Sequence, residues 1–169
     1  LKITAIDNAG SSSENEKPII VDKKAPTVTK SYPGDADVVA GTVRINGTIA
    51  DDAEATSGVK SESTKWMIRK TSEGVPTKET AGWKDMDVST VGSWAFDCDL
   101  ESMFGDATTA SQYGALSGLY YKIPMYILVE DNVGNAEVRK IEIVYNPDAT
   151  KPVMTVLSPR AEEVLGGTI

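Results

Sequence analysis

The chain has 169 residues, of which 40% are hydrophobic and 25% charged, a composition typical of a globular protein. Its net charge of −8 argues against binding to nucleic acid or to an anionic membrane surface, because both need a concentrated cationic face. A single cysteine and the lack of histidine exclude an internal disulfide, a zinc cluster and imidazole-dependent catalysis. The apolar runs are too short to insert into a bilayer.

Two segments near the chain ends repeat segments of the middle. Residues 3–10 (ITAIDNAG) are echoed by 127–134 (ILVEDNVG), and 25–43 are echoed without a gap by 151–169. Self-similarity displaced by about one domain length is typical of a tandem array. We therefore expect three parts: the last two strands of a preceding repeat (1–22), one complete domain (23–148) and the first strand or strands of the following repeat (149–169).

Short strands are the predicted elements throughout, since apolar residues alternate with period two between proline and glycine turns. In 93–100, for example, Trp94, Phe96, Cys98 and Leu100 fall on one face. One or two helical turns are expected within 107–116, and Pro124 requires either a bulge or a gap in the neighbouring strand. In chain order the predicted strands are 1–7, 17–21, 27–32, 38–41, 43–50, 63–70, one or two within 75–91, then 93–100, 119–130 and 136–146.

This succession of strands without a helical crossover predicts an all-β fold, an immunoglobulin-like antiparallel β-sandwich of seven to nine strands. The two end segments would be partial flanking repeats. Alternation assigns one common core to a set of seven side chains: Trp94, Phe96, Ile123, Met125, Ile127, Ile141 and Ile143.

Several short motifs carry a family likeness. They are a linker aspartate before a proline (Asp22, Pro26), Gly-Thr-Val at 41–43, Ser-Gly-Val at 57–59, the strand tryptophan Trp94 and Asp-Asn-x-Gly-Asn at 131–135. Together they resemble bacterial immunoglobulin-like repeats, which occur in tandem in large surface and secreted proteins. The connection 101–117 is longer than in typical repeats. The resemblance implies a non-catalytic extracellular module at the cell surface, a spacer or adhesion unit whose partners are adjacent repeats.

Acidic residues are expected to gather at one end of the sandwich. Strands 43–50 and 119–130 run in the same direction, so the loops after them meet near the linker, which brings Asp22, Asp51, Asp52 and Asp131 together. Hard oxygen ligands in such numbers suit Ca²⁺. The alternative is a solvated acidic rim, which water screens. Asp131 serves either as a turn residue or as a metal ligand.

Trp83 is the aromatic residue most open to a binding role. It lies in a glycine-flanked turn, whereas Trp66 and Trp94 fall on predicted inward faces. A second function is therefore considered, a carbohydrate- or host-protein-binding module that uses Trp83 and the 101–118 loop. We expect no enzyme activity, because no residue is present to activate a nucleophile.

Overall fold

The computed structural model describes residues 1–19, 21–51, 57–89 and 92–149. Within these ranges the strands are β1 (Lys2–Ile6), β2 (Ser12–Glu16), β3 (Thr27–Tyr32), β4 (Val38–Val39), β5 (Thr42–Ala50), β6 (Lys65–Ile68), β7 (Lys84–Asp85), β8 (Asp87–Val88), β9 (Ser93–Asp99), β10 (Ala115–Ser117), β11 (Tyr120–Glu130) and β12 (Ala136–Tyr145). Two α-helices, α1 (Leu100–Phe104) and α2 (Ala107–Tyr113), lie between β9 and β10. Among the described residues, no helix is both long enough and apolar enough to span a membrane.

Two sheets form the sandwich. One has the order β3-β5-β9-β8, and the other has the order β4-β12-β11-β6-β7, with β10 added to the start of β11. All pairings within these sheets are antiparallel except that of β4 with β12. This order is that of an immunoglobulin-like sandwich, so the predicted fold class is confirmed.

The core lies between the sheets and contains all seven side chains that alternation assigned to it. Trp66 stacks on Phe96 across the two sheets, with ring centroids 4.2 Å apart. Trp94 is buried as well, and its Nε1 donates to the Thr48 carbonyl. Cys98 is buried on the same face, as its place in the alternation predicted. The period-two pattern thus identified the buried face correctly.

Pro124 lies in β11 without disturbing its pairing. The register with β12 runs through the Pro124 and Glu142 pair without a shift. On the other side of β11, β10 pairs as far as Lys122 and β6 pairs from Met125 onward. Pro124 therefore occupies the gap between two neighbouring strands, the second of the two predicted solutions.

The long connection after β9 is more ordered than expected. The prediction of helical turns within 107–116 is confirmed by α2, but α1 was not predicted. Asp99 caps α1 by accepting from the Ser102 backbone, so the extended chain turns directly into helix after β9. Phe104 of α1 is buried against Tyr145, and the two helices close this end of the sandwich, hereafter the helix pole.

The N-terminal segment forms a separate two-stranded sheet whose residues are all exposed. Its second strand was predicted at 17–21, and that position is wrong, because β2 runs over Ser12–Glu16. The tight turn after β1 brings the chain straight back into register, and the polar sequence of β2 showed no alternation. The assignment of 1–22 to a preceding repeat stays a prediction, and residues 150–169 lie outside the described part of the chain.

Candidate functional site: the junction pole

The turn between β11 and β12 is organised by one carboxylate. Oδ1 of Asp131 accepts the backbone N–H groups of Val133 and Asn135 at 2.9 and 2.8 Å, and Oδ2 accepts the Asn135 side-chain amide at 2.6 Å. Gly134 supplies the positive φ, +98°, that the tight turn needs. Asp131 is fully buried, so its charge is balanced by these hydrogen bonds.

These hydrogen bonds also set the acidity of Asp131. Burial acts to raise the pKa of the carboxyl group, but the donors from Asn135, Val133 and Gly134 together outweigh it and hold the pKa below its ordinary value of 3.8. Asp131 is therefore ionised at neutral pH. A buried anion of this kind is suited either to hold a turn or to bind a cation.

Asp22 ties the linker to the sandwich at this turn. Its Oδ2 accepts the backbone N–H of Ser57 at 2.9 Å, and its carbonyl accepts the Asn135 side-chain amide at 3.3 Å. Asp51, at the end of β5, accepts the backbone N–H of Gly58 at 2.7 Å. The linker thus contacts both loops of this end, and we call the group formed by Asp22, Asp51, Ser57, Gly58 and residues 131–135 the junction pole.

Three of the four predicted metal ligands meet at the junction pole. One carboxylate oxygen from each of Asp22, Asp51 and Asp131 lies within 4.8 Å of the other two. Asp52 lies outside the described residues. Two oxygens bound to one Ca²⁺ at about 2.3–2.6 Å are at most about 5 Å apart, so the spacing fits this ion. Oδ1 of Asp131 already accepts two N–H bonds, but its Oδ2 accepts one and retains a second lone pair with which to bind an ion.

The hairpin between β1 and β2 repeats the junction turn. Oδ1 of Asp7 accepts the backbone N–H groups of Ala9 and Ser11, both at 2.9 Å, as Oδ1 of Asp131 does two and four residues further along. Gly10 has a φ of +86°, close to that of Gly134. The sequence echo between 3–10 and 127–134 therefore extends to the hydrogen-bond pattern.

Trp83 lies in a different place, on the outer side of the β6–β11 sheet. It is half-buried, and its Nε1 donates to the Thr77 carbonyl at 3.2 Å. It lines a cavity of about 350 Å³ together with Leu128 and Glu130, at the far end of β11 from β10. The 101–118 connection lies at the helix pole, so the two parts of the proposed ligand-binding module do not form one site.

Sequence reasoning found the carboxylates of the junction pole and missed most of the groups that bind them. The donors at Ser57 and Gly58 are backbone amides, and the types of side chain in the sequence do not show which backbone amides will donate. Asn135 carried a signal, since it closes the Asp-Asn-x-Gly-Asn motif, but its contact with the linker depends on tertiary structure.

No known family model matches this sequence, and neither does any curated protein. Among solved structures, murine CRIg matches with 14% sequence identity over 72% of this chain and 96% of that one, at a TM-score of 0.35. A similarity at this level carries no argument about function. The immunoglobulin-like architecture is given by the strand order itself.

Proposed function

We propose that the chain is a non-catalytic unit of a longer extracellular protein, in which immunoglobulin-like repeats act as spacers or adhesion modules. The observation that carries the proposal is the anchoring of Asp22 to both loops of the junction pole. A linker bound at two points approaches the sandwich in a defined direction, which a spacer requires. The matched turns at Asp7 and Asp131 support a tandem arrangement, and the motif resemblance supports a bacterial surface protein.

The proposal includes calcium at the junction pole. Asp22, Asp51 and Asp131 would hold the ion, and Asp52 is a further candidate ligand. Calcium would join the linker, the loop after β5 and the turn after β11 through one centre and so stiffen the connection between repeats. Extracellular modules bind Ca²⁺ with Kd values of about 10⁻⁴–10⁻³ M, which suits the millimolar concentration outside cells.

Thermal unfolding of the full chain with and without calcium tests this part. At about 5 mM CaCl₂ and a Kd near 10⁻⁴ M, binding to the folded state alone adds about 2.3 kcal/mol. A domain of this size should then melt roughly 5 °C or more above its midpoint in EDTA. Asp131→Asn should abolish the shift, whereas Asp97→Asn, on the exposed face of β9, should retain it. An unchanged midpoint for the unmodified chain would contradict calcium binding.

The spacer role has its own test, which does not depend on calcium. Asp22→Ala removes the acceptor for the Ser57 amide, so proteolytic cleavage in the linker and hydrogen exchange at Ser57 should both accelerate. Asp7→Ala is the matched control, since it weakens the homologous turn of the N-terminal hairpin and leaves the linker contact intact. Equal cleavage of the linker in the two variants would contradict a fixed junction.

A second role, ligand binding, is favoured by the cavity beside Trp83. It is compatible with the first, because the cavity and the junction pole use different residues.

A further inference from the structure

The face of the β6–β11 sheet that points away from the core has a covering layer of its own. Met67, Tyr126 and Leu128 are buried there although they do not belong to the core cluster. The segment 69–83 lies over this face: Pro76 is buried within it, and Gly82 is adjacent to the Met67 methyl group. Alternation along β6 and β11 alone would have left these side chains in solvent.

Several polar contacts fix the covering segment. Besides the bond from Trp83 to the Thr77 carbonyl, the Thr77 backbone N–H donates to the Thr80 hydroxyl at 2.9 Å. Lys78 reaches across to Glu130 at the end of β11, with 3.0 Å between Nζ and Oε2. The indole ring of Trp83 is therefore held in one orientation before any ligand arrives, which reduces the entropic cost of binding.

The cavity between this segment and β11 has a mixed lining. Its volume of about 350 Å³ lies in the range of small-molecule sites, which combine apolar and aromatic walls with a few polar groups. The ring of Trp83 and the side chain of Leu128 supply the apolar part, and the polar part comes from Thr80, Lys65, Lys78 and Glu130.

The charge of the cavity is opposite to that of the chain as a whole. The Glu130 side chain is only 12% exposed and lies between Lys78 and Lys60, at 3.0 and 3.7 Å. Lys65 pairs with Asp85 at 3.4 Å, but the Asp85 side chain is 90% exposed, so water weakens that pair. Among the residues that line the cavity, the ammonium groups of Lys65 and Lys78 thus outnumber the one carboxylate, that of Glu130, in a chain whose net charge is −8.

We propose that this cavity binds a sugar unit that carries a carboxylate, such as a uronic or sialic acid residue of a glycan. This inference rests on the ligand-binding role stated above and names its ligand class. The apolar face of a pyranose ring lies against Trp83, the Thr80 hydroxyl exchanges a hydrogen bond with a sugar hydroxyl, and the carboxylate pairs with Lys78 and Lys65.

Saturation-transfer NMR and calorimetric titration of the full chain test the inference, with glucuronate and N-acetylneuraminate as ligands and glucose as the neutral match. We expect at least one acidic sugar to bind more tightly than glucose. Lys78→Gln should weaken acidic-sugar binding about fivefold, the size of one exposed ion pair. Lys140→Gln is the matched control, because Lys140 is ion-paired with Glu142 and lies outside the cavity.

Lys65→Gln provides a second variant if Lys78→Gln disturbs the covering segment, and circular dichroism checks the fold of both. Equal affinity for glucose and both acidic sugars would overturn the acidic specificity and leave a sugar-binding role. No binding of any of the sugars at the highest soluble concentration would overturn the inference for these ligands. In that case, loss of binding to immobilised host proteins in Trp83→Ala would still support the broader binding role.

Discussion

A methyl group added at Gly47 should destabilise the domain more than any other single added carbon in β5. Gly47 faces the core and lies opposite Trp94 of β9, whose indole ring covers it. The Cβ of an alanine would lie 2.6 Å from Cζ2 of Trp94 and would overlap the Thr29 carbonyl oxygen of β3. Carbon atoms in contact are about 3.5–4.0 Å apart, so the ring or strand β3 must move by about 1 Å.

The ring of Trp94 has little room to move. Trp94 is 1% exposed, its ring lies against that of Phe96, and its Nε1 bond to Thr48 would break if the ring shifted. Overpacking destabilises the fold by about 1–3 kcal/mol, and loss of the hydrogen bond by about 1 kcal/mol. In the opposite direction, alanine reduces the conformational entropy of the unfolded chain, which stabilises the fold by about 0.4–1 kcal/mol. We expect Gly47→Ala to lower the free energy of unfolding by about 1–3.5 kcal/mol.

Urea unfolding followed by tryptophan fluorescence measures this loss. Gly34→Ala is the matched control, because its new Cβ would meet only the end of the flexible Asp37 side chain, at 3.1 Å, in an exposed turn. We expect that control to stay within about 0.5 kcal/mol of the parent chain. If the two variants unfold at the same urea concentration, the packing of Trp94 on Gly47 is not as described and the reasoning fails.

Three further results are expected. Burial raises the pKa of Cys98 to about 12, so a thiol reagent at about pH 8 should label this residue only as fast as the domain unfolds. Rapid labelling of the native protein would contradict this expectation. Because the pKa of Asp131 is lowered in the folded state, its ionised form stabilises the fold fully at any pH above the carboxyl pKa of the unfolded chain. This stabilisation is lost as the pH falls through the pKa of the folded state. The urea midpoints at about pH 7 and pH 3 should therefore differ less for Asp131→Asn than for the parent chain. Phe104→Ala should reduce the free energy of unfolding by about 3–5 kcal/mol, because it empties the packing between α1 and Tyr145, and a smaller loss in urea titration would mean that the helices do not close the core.

The sequence predicted best where apolar residues alternate along a strand. In β11 and β9 every second side chain enters the core, so the inward-facing residues and, to within one residue, the bounds of the strands followed from that pattern. It predicted poorly where burial does not decide the conformation. β2 is exposed on both faces, so its position depended on the hydrogen-bond pattern of the turn at Asp7, which composition does not reveal.

The alternating pattern also did not show where strand β9 changes into helix α1. Leu100 continues the apolar series of β9 and is buried as expected, but it is the first residue of α1, because the Asp99 carboxylate caps the helix. For the candidate site, loop topology was enough to bring the aspartates together, since it depends only on strand direction. The ion pairs of Glu130 with Lys60 and Lys78 join segments far apart in sequence, and no local sequence pattern predicts them.

The two points at which the chain enters and leaves the sandwich determine how the domain would respond to a pulling force. The polypeptide reaches the sandwich at the junction pole and leaves it after Tyr145 at the opposite end, so tension on residues 22 and 146 acts along the strands. β4 and β12 are parallel over only two residue pairs, and such a patch resists by shear, in which its bonds are loaded together. Two further hydrogen bonds reinforce this patch. The Asn146 backbone N–H donates to the Val39 carbonyl at 3.0 Å, and Lys30 Nζ on β3 donates to the Glu142 carbonyl of β12 at 2.8 Å. The mechanical strength of the unit therefore rests on a few bonds next to β12, and a lysine side chain supplies one of them.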